Sequence, residues 1–170
     1  MKAWKLPVRT PLSKVFEWCL QERASDRLLC SATTMADNQT LGKPSVENIV
    51  TSLFGTRLIE KKLVRRWPGT TLKLDKSMVF LVDFDSSLIK PMARLGRRIE
   101  DWRHVHEPPL PEDLCLFQQG DEWPVLVSVT HEREAWIISK ERPHFCLKAP
   151  TDLKPDELMI PPPEQGFVGD

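Results

Sequence analysis

No stretch of this chain approaches the roughly 20 consecutive apolar residues that a membrane-crossing helix requires. Met1-Lys2-Ala3-Trp4-Lys5-Leu6-Pro7 also lacks the apolar core of a secretory leader. Neither membrane insertion nor export is expected, which points to a cytoplasmic location. Glycine is scarce, at seven residues. With no Gly-x-Gly-x-x-Gly string and no Walker-type loop, little backbone is suited to cradle phosphates, and the usual nucleotide enzymes are disfavoured. Cysteine is limited to Cys19, Cys30, Cys115 and Cys146, far apart and without a Cys-x-x-Cys pair. That spacing suits buried thiols in a reducing compartment better than a disulfide framework. Tyrosine is absent, whereas tryptophan occurs six times.

What is present has the make-up of a folded domain. The chain has 170 residues, 41% of them apolar and 28% charged, which excludes a disordered or fibrous chain and leads us to expect one globular domain over 1–170. Fifteen prolines are many for this length. They gather in Glu107-Pro108-Pro109-Leu110-Pro111 and in Pro161-Pro162-Pro163, where a fixed φ and a missing N–H mark loops, the second lying in a Pro-rich tail, 150–170. The net charge of zero conceals a polarity: residues 53–103 carry twelve Lys/Arg against six Asp/Glu, and residues 104–170 five against thirteen. Such a division can steer partners of opposite charge to two surfaces.

Hydrophobic spacing predicts a helical N-terminal part over about 12–66. A first helix is read from Leu12 to Cys30, capped by Ser13, and a second from Ser45 to about Arg66, with Ser45 as N-cap, Gly55 inside it and Trp67-Pro68-Gly69 as its stop. A strand–helix part over 70–104 follows. Thr70–Leu74 and Met78–Phe84 read as strands, the second covered on both faces, and Ser86–His104 as a third helix. Antiparallel hairpins occupy 113–148: Asp113–Phe117, Pro124–Thr130 and Ala135–Ser139, with a candidate fourth strand at His144–Lys148. The expected class is α+β, about three helices on a mixed sheet with a C-terminal meander.

Phe80-Leu81-Val82-Asp83-Phe84-Asp85-Ser86-Ser87-Leu88-Ile89 is an apolar strand that delivers two carboxylates just before a helix. It resembles the first motif of the haloacid-dehalogenase-like phosphatases. The resemblance implies Asp83 as the phosphoryl-accepting nucleophile, Asp85 as general acid/base, and both as holders of Mg²⁺, on a sheet with several parallel strands. It covers these ten residues. The plainer reading of the same string is a strand end with Asp85 or Ser86 capping the next helix. The pairs His104-x-His106 and His144-x-Cys146 lack tight zinc-ligand spacing and read as surface histidines and a core cysteine.

Two charged groups remain. Arg57, Lys61 and Arg65, with Lys62 and Arg66 beside them, recur at helical spacing, and Lys90, Arg94, Arg97, Arg98 and Arg103 do the same on the third helix. They suit a solvated helix face, or a surface for phosphates or an acidic partner. Asp121, Glu122, Glu132 and Glu134 sit at hairpin ends beside Trp123 and Trp136. That arrangement suits edge protection, or an acidic docking face with aromatic anchors. The leading expectation is a non-catalytic interaction module that binds another protein: a regulator, inhibitor, immunity-type protein or complex subunit. The alternatives are a nucleic-acid-associated subunit using the basic helices and a Mg²⁺-dependent phosphohydrolase using Asp83 and Asp85. No other cofactor, no resident metal and no membrane partner are expected.

Overall fold

A strand as uniformly apolar as Met78–Val82 is stable only when both of its faces are covered. In the computed structural model, which describes residues 1–32, 44–103, 105, 107–118 and 124–148, this requirement organises the fold. The strands are β1 (Lys2–Lys5), β2 (Arg27–Ala32), β3 (Leu58–Val64), β4 (Arg66–Trp67), β5 (Thr70–Thr71), β6 (Ser77–Asp83), β7 (Glu112–Phe117), β8 (Leu126–Val129) and β9 (Glu134–Ser139). The helices are α1 (Leu12–Arg23), α2 (Val46–Phe54) and α3 (Ser86–Leu95). Seven strands form one sheet in the order β1-β9-β8-β7-β2-β6-β3, and β4 and β5 form a separate hairpin. The class is α+β as read, and the meander β7-β8-β9 is present. Every pairing among the described residues is antiparallel, so the sheet is not mixed. His144–Lys148 is not a strand but a turn, with Cys146 N donating to Pro143 O at 3.0 Å.

The N-terminal part is less helical than its spacing suggests. The first helix ends at Arg23, because Ala24 turns into the left-handed region at φ 46°. The N–H groups of Ala24 and Ser25 then satisfy Leu20 O and Cys19 O, which leaves Leu28–Cys30 free to become strand. Its N-cap position is Pro11, not Ser13. Ser45 caps α2 as expected, accepting from Asn48 N at 3.1 Å. Gly55 is the stop of that helix rather than a residue inside it, at φ 52°. Residues 58–64, read as helix, are strand β3. The third helix likewise ends at Leu95, and Thr70–Leu74 shrinks to the two residues of β5.

Alternation along the strands sends their side chains into two cores. On one face Leu28, Cys30, Phe80, Val82, Leu116 and Ile137 pack under the three helices, where Phe16 meets Phe84 edge-on at 5.2 Å. On the other, Leu29, Val79, Leu81, Cys115, Val127 and Trp136 pack with Trp67 from the β4–β5 hairpin. Gly69 makes this close approach possible. Its φ of 80° suits a turn after Pro68. A β-carbon there would also lie 2.9 Å from both Val127 and Val129.

Gly96, just past α3, is held by space rather than by backbone angle. An added β-carbon would lie 2.5 Å from Nε1 of Trp102, a fully buried ring that donates to Gly96 O at 3.2 Å. Gly96→Ala should therefore cost about 1–3 kcal/mol, as overpacking does. The expected result in urea unfolding is a lowered midpoint with an unchanged slope.

Candidate interaction surface

Asp83 and Asp85 lie at the C-terminal end of β6, and each carries an arginine. Asp83 pairs with Arg27 Nη1 at 2.8 Å. Asp85 is the N-cap of α3: one oxygen accepts from Ser87 N at 2.8 Å and the other from Arg57 Nη1 at 2.6 Å. Arg57 also donates to Ser87 Oγ at 3.0 Å. The Ser87 and Arg57 hydrogen bonds hold the Asp85 carboxyl down to about 2. A group ionised that firmly is a poor proton donor at neutral pH. β6 is antiparallel to both neighbours, so the parallel arrangement implied by the phosphatase resemblance is not present around it.

Asp113, which the sequence places among the acidic residues at strand ends, is instead buried. β7 bulges at Asp113, where φ is 51° and the register with β2 shifts. Aspartate tolerates this left-handed geometry better than most residues, and a bulge re-aims its side chain. One Asp113 oxygen accepts from Thr130 N at 2.8 Å; the other accepts from Trp67 Nε1 at 3.0 Å and Thr70 Oγ1 at 3.3 Å. Burial nonetheless pushes its pKa up, against the pull of those hydrogen bonds.

The four thiols are buried and free. Burial raises each pKa, that of Cys146 to about 12, so none is a ready thiolate. Among the described residues no group of His, Cys, Asp and Glu is placed to hold a metal; His104 and His106 lie outside them. A cleft lined by Leu6, Thr10, Glu100 and Arg133 offers about 10 Å³, room for about one water. No described helix is long and apolar enough to cross a membrane.

The cations expected on two helix faces are arranged differently. Arg57 lies in a 3₁₀ turn, Lys61 and Lys62 point to opposite faces of β3, and Arg65 and Arg66 follow at its end. Lys61 pairs with Glu47 of α2. Lys90 and Arg94 are exposed on α3, whereas Arg97 and Arg98 lie beyond it, and Arg98 is tied to Asp101 at 3.2 Å. Arg103 follows a second 3₁₀ turn. What helical periodicity obscured is that β3 is one of the two outer described strands, opposite β1, and exposes Ile59 and Leu63, each at 47%. Leu74, at 84%, follows in the same segment. The sequence Leu58-Ile59-Glu60-Lys61-Lys62-Leu63-Val64 does not alternate apolar with polar, and the signal available was Gly55 as a helix stop.

On the acidic side, Asp121, Glu122 and Trp123 lie outside the described residues. Glu132 is exposed beside His131, and Glu134 is paired with Lys5. Trp136 is no exposed anchor, because alternation along β9 turns it into the second core, where it is 3% exposed. No protein family, curated protein or solved structure matches this chain.

Two substitutions test the carboxylates. Asp113 has a folded pKa raised above its unfolded value, so the stability it gives is complete below the ordinary aspartate range and is lost as pH rises through the folded pKa. The advantage of the wild type over Asp113→Asn should therefore shrink as pH rises through that window, measured by urea unfolding at a series of pH values. Asp85→Ala should cost about 1 kcal/mol of stability through the lost cap, and Asp85→Asn less, because asparagine also caps.

Proposed function

We propose that the protein is a non-catalytic interaction module, a regulatory, inhibitory or scaffolding subunit, that docks an acidic protein against the β3 edge of its sheet. The observation that carries this reading is the segment Arg57–Lys76. It brings seven Lys/Arg against two Asp/Glu, and it holds Ile59, Leu63 and Leu74, three of the seven large apolar side chains exposed among the described residues. Apolar contact supplies the affinity of an interface and surrounding charge steers the encounter, and this segment offers both. Arg65 and Arg66 are exposed and make no ion pair among the described residues, so they are available to carboxylates. The described acidic hairpin end is less suited to the role: Glu134 is already paired with Lys5, and Trp136 is packed inside.

Affinity capture from the native host, followed by titration of the captured partner, tests the reading. Replacing Arg65 and Arg66 together by Glu should weaken binding at least about tenfold, or ~1.4 kcal/mol, and slow association at low salt. Glu132→Lys should leave it nearly unchanged. A chain recovered alone at physiological salt, or a capture abolished by nuclease, would overturn the proposal. In the nuclease-sensitive case the same cations would be serving phosphates, with binding falling steeply on a log–log salt plot.

A further inference from the structure

Resting on that reading, we propose that β3 receives an extended acidic segment of the partner as an added strand. As an outer strand of the described sheet, at the edge opposite β1, β3 is hydrogen-bonded to β6 on one side. Alternate residues of such a strand direct their N–H and C=O groups away from the sheet, a ready template for another chain. The register with β6 is interrupted between Leu58 and Glu60 and then runs without a break from Glu60 opposite Leu81 to Val64 opposite Ser77. Glu60–Val64 is thus the part that an incoming strand would follow.

The side chains along it specify what that strand should carry. Residues opposite one another share a face, so Lys61 and Leu63 stand on the face of Phe80 and Met78, and Lys62 and Val64 on the face of Val79 and Ser77. One face presents Lys61, paired with Glu47, and the exposed Leu63; the other carries Lys62, while Val64 is buried in the second core. A partner strand complementary to both faces places a carboxylate near each lysine, where it can share Lys61 with Glu47, and an apolar residue near Leu63, with further acids reaching Arg65 and Arg66.

The obvious competitor is a second copy of this chain: antiparallel self-pairing centred on Lys61 sets that lysine against itself but sets Glu60 opposite Lys62 on both sides, so the test must separate the two occupants. The bulge between Leu58 and Glu60 shortens the regular edge, and Arg65 and Arg66 at its end favour an acidic strand over a basic one.

The test uses the full chain, isotope-labelled for NMR, and short synthetic peptides as probes. A peptide repeating Val-Val-Glu-Glu, which sets one carboxylate on each face beside Lys61 and Lys62, should bind and slow amide exchange within Leu58–Val64. The same peptide with proline at its centre, which cannot complete the ladder, should bind at least about tenfold more weakly. So should a lysine-for-glutamate version. Leu63→Asp, a change at an exposed position, should weaken binding of the valine–glutamate peptide while the rest of the spectrum stays native. Equal binding of the proline peptide, protection elsewhere than β3, or a concentration-dependent dimer lost in Leu63→Asp would overturn the inference. If a captured partner depends on Arg65 and Arg66 but the peptide leaves β3 amides unprotected, strand addition falls and the interaction module stands. If no partner is captured, the module reading falls first.

Discussion

Asp113 brings a carboxyl group into the interior, where an ionised oxygen without donors would cost several kcal/mol. It is tolerated because donors from two separate segments converge on it: Trp67 and Thr70 from the β4–β5 hairpin, and Thr130 from the turn after β8. The second face of the sheet depends on this convergence. That face is apolar, and the described element lying on it is the same hairpin, which buries Trp67 among Val127, Val129 and their neighbours. The bulge in β7, the glycine turn at Gly69 and the buried carboxylate thus act together, each supplying geometry the other two require.

Much of this was legible in the sequence where one local signal had one meaning. The cap at Ser45, the two-faced burial of Met78–Val82 and the short linkers of the C-terminal meander belong to this class. Residues 58–66 were misread because a cation every four residues satisfies two rules at once: four is close to the helical repeat and is also an even number, so Arg57, Lys61 and Arg65 align on a helix or alternate evenly along a strand. Gly55 was the deciding residue, and as a helix stop it favours the second interpretation. The end of α1 gave no such warning. Ala24 takes a conformation usually left to glycine or asparagine, so the chain turns where composition predicts continuation.

The candidate sites divide by what already holds them. The Asp83–Asp85 pair is drawn into local structure by Arg27, Arg57 and the first turn of α3, so the string that looked most catalytic is also the one most fully accounted for by folding. Trp136 shows the same limit from the other side, since a tryptophan beside acidic loops is indistinguishable in sequence from a core tryptophan until the strand register is known. The basic surface keeps its charge in a changed form. Spread along a sheet edge rather than a helix, it can be read by a backbone as well as by side chains, which a helical face does not offer.

The outer position of β1 governs when the molecule can finish forming. Lys2–Lys5 pairs with β9, Lys2 opposite Ser139 and Lys5 opposite Trp136, so one edge of the sheet joins residues from opposite ends of the described chain. β2 in turn needs partners from 77–83 and 112–117 before both of its own edges are filled. During synthesis, then, both early strands emerge without mates, β2 until residues 77–83 and 112–117 follow and β1 until Ser139 has left the ribosome. Contacts this distant in sequence slow folding and prolong the exposure of apolar strand edges. The charges on Lys2 and Lys5, and on Arg27 at the head of β2, flank those waiting strands and set like charges against one another whenever two nascent copies meet.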